Sequence, residues 1–332
     1  MGDMNPTRVV GPSPHIASGM TCTRIMVWVI AALAPAAVWA VIQMGWVATQ
    51  VLLVGIGGAV ATEWAWNAIA RKPQTLSDGT AVLTGLLLAM TLPTRTPWWI
   101  VLVGSMVAIV LGKMIFGGLG HNLFNPALVG RAFVTLSWAG VISGTTNRGW
   151  YEPLPEVTAE GLDAISGATR LAVAAADRAA DGAYGFDLAA HYQSLLFNNT
   201  AGSLGEVSAG LLLLGGLVLI VARIIDWRIP LSYLGTMVFM SLAFGADPVF
   251  NLLAGGLMLG AFFMATDYVT SPMSRWGRVI FGIGCGVLNA LGRFVGPMPE
   301  ATAFSILFMN GLAPLIDRLT RPRTFGWVKE DA

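Results

Sequence analysis

Ser77-Asp78-Gly79-Thr80-Ala81-Val82-Leu83-Thr84-Gly85-Leu86-Leu87-Leu88 opens an apolar run, 79–93, that is short for a helix crossing a bilayer. Such a helix needs about 20 predominantly apolar residues. A second short run, 251–266, carries Gly255-Gly256-Leu257-Met258-Leu259. Each run leads into a polar, proline-bearing junction: Gly120-His121-Asn122-Leu123-Phe124-Asn125-Pro126 after the first, Gly292-Arg293-Phe294-Val295-Gly296-Pro297 after the second. Gly85 and Pro126 are 41 residues apart, and so are Gly256 and Pro297. Short, glycine- or proline-interrupted spans at matching places in two halves mark an inverted repeat with its binding region between the halves.

Outward from these two runs the chain is mostly apolar. It is 55% hydrophobic and 11% charged, with 40 glycines and 12 tryptophans, where a soluble domain averages roughly 25% charged residues. Ten runs read as membrane helices: 25–43, 46–69, 79–93, 98–116, 124–142, 207–223, 231–246, 251–266, 277–295 and 300–317. Arg24 precedes the first run, which reads as an uncleaved span and not a signal peptide. Trp46, Trp98, Trp99, Trp138, Trp227 and Trp276 fall near run ends, as interfacial aromatic belts require. The expected fold is an all-α integral membrane protein of about ten spans in two inverted five-helix repeats.

Charge counting orients it. With the N-terminus in the cytoplasm, fourteen of the 19 Lys and Arg fall on the inner side, including Lys113 and Arg131. The outer side collects five: Arg95, Arg148, Arg170, Arg178 and Arg293. That is a positive-inside bias. The division is a cytoplasmic tail 1–24, a first membrane half 25–142, a periplasmic loop 143–206, a second half 207–317 and a cytoplasmic tail 318–332.

A net charge of +1 and the lack of a basic run exclude nucleic-acid binding. Two cysteines are too few for an iron–sulfur cluster within the chain. His15, His121 and His191 are too scattered for a two-haem bundle. Glu63 lies within the second run beside Trp64 and Trp66, and an ionisable group at membrane depth is functional by default. Asp78 reads as a helix cap. Asn122 and Asn125 have amides suited either to a planar polar ligand or to a helix break. Thr266-Asp267, with Thr270-Ser271-Pro272, Arg275 and Arg278, suits a cation site or a helix cap equally.

The periplasmic loop carries Asp163-Ala164-Ile165-Ser166-Gly167-Ala168-Thr169-Arg170. Gly167 permits a tight turn and Ala168 leaves the Thr169 hydroxyl unshielded. By local residues alone the stretch reads first as a loop or helix start, with Ser166 or Thr169 as an N-cap for the alanine-rich run 171–180.

The Ser77–Gly85 stretch, Gly120–Ala127, Thr266-Asp267 with Thr270-Ser271-Pro272, and Asp163–Thr169 occur together in one order. In this the chain resembles the RnfD/NqrB family, most closely RnfD because its N-terminal tail is short. The resemblance implies the ten-span, urea-transporter-like fold in two inverted repeats. It implies an electron-transfer subunit of an ion-translocating oxidoreductase in a bacterial inner membrane, incomplete as a catalyst alone. In the Rnf setting NADH/ferredoxin electron exchange is coupled to Na⁺ or H⁺; the alternative is the NqrB-type subunit of a Na⁺-translocating NADH:quinone reductase.

Ser166-Gly167-Ala168-Thr169 matches the family's flavinylation motif, so the resemblance implies FMN phosphoester-linked to Thr169 by a flavin transferase. Arg170 then suits the FMN phosphate. A second, non-covalent riboflavin is implied toward the cytoplasm, with Asn122 and Asn125 as candidate ligands and Glu63 and Asp267 as ion-path candidates. The implied partners are RnfA, RnfB, RnfC, RnfE and RnfG. The rival class is a urea-transporter-like solute channel without redox function.

Overall fold

The computed structural model describes residues 20–94, 96–139, 142, 188–197, 202–296 and 301–321. Among these residues the fold is helical, with no strand. The first half comprises α1 (Cys22–Met44), α2 (Trp46–Ile69), α3 (Thr80–Thr91), α4 (Trp98–Ile109) and α5 (Pro126–Ser137). α6 (Leu188–Phe197) follows, and then α7 (Ala209–Val221), α8 (Arg228–Ala243) and the short α9 (Pro248–Leu253). α10 (Leu257–Leu259), α11 (Arg275–Phe294) and α12 (Thr302–Leu319) complete the described helices.

Local chemistry sets the helix ends. Asn125 caps α5, its Oδ1 accepting from the N–H groups of Ala127 and Leu128, and Pro126 occupies the first turn, where a missing N–H costs nothing. Asp247 and Pro248 start α9 in the same way. Asp78, expected as the cap of α3, stands one residue earlier: Gly79, at φ 78°, takes the N-cap position, and the Asp78 carboxylate accepts from Thr80 N–H at 2.8 Å. α1 ends at Gly45, whose φ of 66° turns the chain directly into α2.

α2 packs against α3 and α4, and α4 against α5; in the second half α8 packs against α11, and α11 against α12. α1 meets α7 where the halves join. Helix contacts in lipid depend on close backbone approach through small residues. A Cβ on Gly85 would lie 2.5 Å from the Gly55 carbonyl oxygen, and one on Gly112 would lie 2.7 Å from Pro126 Cα. The outer faces carry Val38, Ile42, Leu53, Leu136, Leu214, Phe239 and Leu242, all exposed, as on a surface that meets acyl chains. Trp46, Trp98, Trp99, Trp227 and Trp276 are exposed as well.

Cys22–Met44 and Trp46–Ile69 are the described helices long and apolar enough to cross a membrane by themselves. The eighth run, expected as one span over 251–266, is instead broken. α9 stops at Leu253, Gly255 adopts φ 63°, and helix resumes at Leu257. The end of the 143–206 segment also departs from a solvated loop. Ser203, Leu204, Gly205 and Glu206 are buried, and Leu204 N–H donates to the Leu92 carbonyl at 3.1 Å, sealing the end of α3.

Candidate functional site

Two stretches of π-helix continue the ordinary ones: Val110–Met114 after α4 and Gly260–Met264 after α10. A π turn inserts a residue into the helical ladder and re-aims side chains, and such turns are frequent at functional sites. Both serve the same cleft here. Lys113 reaches it from the first, Phe262 and Phe263 from the second.

The cleft holds about 740 Å³ of empty space, part of it open to solvent. Ile25 and Val29 of α1, Leu83 and Leu87 of α3, and Leu219 of α7 supply apolar wall. The polar groups are few: Thr80, Thr84, Lys113, Asn122, Asn125, Thr266, Asp267 and the Tyr268 phenol. A mostly apolar, concave site with a handful of placed polar groups is the usual form of a small-molecule site.

Asn122 and Asn125 are both buried there and do different work. Asn125 is committed on both sides of its amide, Oδ1 to the cap of α5 and Nδ2 to the Met264 carbonyl at 3.3 Å. It fastens the first half to the second. Asn122 donates from Nδ2 to the Phe124 carbonyl at 3.2 Å, but its buried Oδ1 has no partner among the described residues. An acceptor left so in a buried position costs about 1–3 kcal/mol, and a ligand N–H would relieve it.

Glu63 is fully buried and ion-paired. Lys113 Nζ lies 2.7 Å from its Oε2, and Thr75 donates to its Oε1 at 2.6 Å. Lys113 also donates to Thr80 Oγ1 at 2.5 Å, and Thr80 in turn to Asp78 Oδ1 at 2.6 Å. Asp267 holds its own turn, accepting from Thr270 Oγ1 at 3.1 Å. Arg278, grouped with Asp267 by sequence, points instead to Asp226.

Three charges counted from sequence as flanking the spans are buried: Lys113, Arg131 and Arg293. Hydropathy cannot separate a charge at a span end from one folded inward against a partner. Arg293 braces the broken helix, donating to the carbonyls of Asn251 (2.7 Å), Ala254 (3.2 Å) and Gly255 (3.2 Å). The signal for Lys113 was its place in the last turn of an otherwise apolar run. Thr169, with Ser166, Gly167, Ala168 and Arg170, lies outside the described residues. No group of three metal-ligating side chains occurs among the described residues.

The model of the NQR2, RnfD, RnfE family matches residues 9–326. The chain belongs to that family. Among its family relatives, the D component of a proton-translocating ferredoxin:NAD⁺ oxidoreductase complex of Clostridium ljungdahlii is 42% identical, covering 96% of each chain. The D component of a Na⁺-translocating counterpart of Acetobacterium woodii is also 42% identical, covering 99% of this chain and 98% of the relative. The D component of an ion-translocating oxidoreductase complex of Stutzerimonas stutzeri is 44% identical over 91% of this chain. Relatives named for different ions are equally similar, so overall identity does not select the ion.

Outside the spans, Asp226 joins α8 to α11. It accepts from Arg228 N–H at 2.9 Å and lies 2.8 Å from Arg228 Nη1 and 2.5 Å from Arg278 Nη1. Burial pulls its carboxyl upward, but the Arg228 N–H and the two guanidinium groups outweigh that and hold it below the ordinary carboxylate value. A depressed carboxyl contributes stability above its unfolded pKa and loses it as pH falls through the folded pKa. Asp226→Asn is therefore expected to lower stability at pH 7 by about 1 kcal/mol. The difference should vanish in acid below both pKa values. Thermal unfolding in detergent at both pH values checks this.

Proposed function

We propose that this chain is the membrane electron-transfer subunit of an Rnf-type complex, which exchanges electrons between NADH and ferredoxin and moves Na⁺ or H⁺. The observation that carries the reading is the nearly end-to-end likeness to the D components of such complexes. In this reading the chain spans a bacterial inner membrane ten times in two inverted five-helix repeats. The equivalent packing of α2 on α4 and of α8 on α11 supports such a repeat. RnfA, RnfB, RnfC, RnfE and RnfG are the partners, and both termini are cytoplasmic.

Thr169 is the anchor of FMN through a phosphoester, and Arg170 pairs with the phosphate, whose geometry a guanidinium matches. A non-covalent riboflavin occupies the cleft. Bound flavin supplies the electron-accepting ring, while the protein supplies position, hydrogen bonds and local dielectric. The chemistry of the lining supports this reading: Phe262 and Phe263 offer aromatic wall, and the Asn122 Oδ1 offers an acceptor for a ring N–H. Asn125 shapes the wall and holds the two halves together. Glu63 and Asp267, at or beside the cleft, are the carboxylates available to a moving cation.

The decisive experiment is intact mass with in-gel flavin fluorescence on the chain produced with a flavin transferase. Wild type is expected to show a denaturation-resistant increment of FMN minus water, lost completely in Thr169→Ala. Absence of covalent flavin from wild type would sink the reading and favour a solute channel.

A further inference from the structure

Lys113 sits in the cleft wall as a buried cation with unused bonding capacity. An ammonium has three N–H donors. One goes to Glu63 Oε2 and one to Thr80 Oγ1, and the third has no partner among the described residues. The unpartnered Oδ1 of Asn122 lines the same cleft. The cleft lining therefore presents a spare donor that carries charge and a spare acceptor. The complementary ligand has a ring N–H beside oxygen or nitrogen acceptors, as the pyrimidine side of an isoalloxazine has.

A simple neutralising partner for Glu63 needs no π turn and no place in the cavity wall. Lys113 has both, with Gly112 allowing its turn to lie directly against Pro126. We propose that Lys113 contacts the acceptor edge of the flavin bound in the cleft and favours its reduced, more negative form. It is thus a positioning and potential-setting residue. This rests on the non-covalent flavin reading above. The physical basis is Coulombic: Glu63 offsets part of the Lys113 charge from 2.7 Å away, but in a medium of low dielectric the nearer ammonium still dominates the field at a group it touches. The cation therefore stabilises added electron density on its neighbour. The carboxylate that lines the cleft, Asp267, is turned to its own loop by Thr270.

The test uses the full-length chain in detergent in a Thr169→Ala background, so that only non-covalent flavin absorbs. The variants are Lys113→Arg and the doubly neutral Glu63→Gln/Lys113→Met, which leaves no buried charge unpaired if Lys113→Met alone fails to fold. The readouts are flavin retained per chain and the midpoint potential by spectroelectrochemical titration with riboflavin. In the neutral pair, affinity for reduced over oxidised flavin is expected to fall at least about tenfold, a drop of about 30 mV for a two-electron couple. Lys113→Arg and Glu63→Gln alone should not show that drop. Loss of flavin from the neutral pair but not from Lys113→Arg equally supports the contact. Flavin retained at an unchanged potential in the neutral pair overturns the role of Lys113 and leaves the flavin reading standing. No flavin in the Thr169→Ala parent, even with riboflavin added, overturns both.

Discussion

Glu63→Ala is expected to destabilise the folded chain by about 3–5 kcal/mol, the range for breaking a buried ion pair on one side. The reason is what it leaves behind. Lys113 is almost completely buried, and without Glu63 its ammonium keeps only the Thr80 hydroxyl, 2.5 Å away. Thr75 also loses its acceptor, since its hydroxyl donates to Glu63 Oε1 at 2.6 Å. Replacing both charges by neutral groups of similar volume removes the orphan. Glu63→Gln/Lys113→Met is therefore expected to recover most of the loss, to within about 1–2 kcal/mol of wild type, because buried pairs are often replaceable together. Denaturant titration in mixed micelles, followed by tryptophan fluorescence, measures both. A double variant as unstable as Glu63→Ala would show that the pair's geometry, and not its neutrality, holds α2 to α4.

The second large effect is expected at Arg293. Arg293→Met keeps the length of the side chain and removes its donors. The carbonyls of Asn251 and Ala254 then lose the guanidinium donor, and Gly255, which also accepts from Leu257 N–H, loses one of its two, where the helix is interrupted inside the protein. Each buried acceptor left unpaired costs about 1–3 kcal/mol, so for the two of Asn251 and Ala254 a loss of at least about 2 kcal/mol is expected, with the break at Gly255 as the first region to open. Hydrogen exchange should rise at 250–260 before it rises in α2 or α5. Uniform loss of protection would place the brace elsewhere. The Arg293 result also bears on the cleft, because the helix restarted at Leu257 carries Phe262 and Phe263 into its wall.

Much of the architecture was legible in the chain itself. α2 begins and ends where the apolar run does, at residues 46 and 69, because the polar residues beyond it and the Gly45 turn before it leave no choice. The pair of short glycine-bearing runs was likewise visible. The division of labour between Asn122 and Asn125 was not: the two amides look alike in the chain, and only the packing commits one to a cap and leaves the other with a bare acceptor.

What the sequence determined by itself was the helical, lipid-facing character of the chain, the approximate helix ends, the family and the candidate anchor Thr169. Those follow from composition, run length and motif, which are local properties. Tertiary structure alone decided that Lys113 and Glu63 pair across 50 residues, that Arg293 braces a broken helix, and that two π turns face one cleft. Such facts depend on which distant group supplies the missing hydrogen bond when a polar group is carried out of water. That choice is made by packing between helices and leaves no periodic trace along the chain.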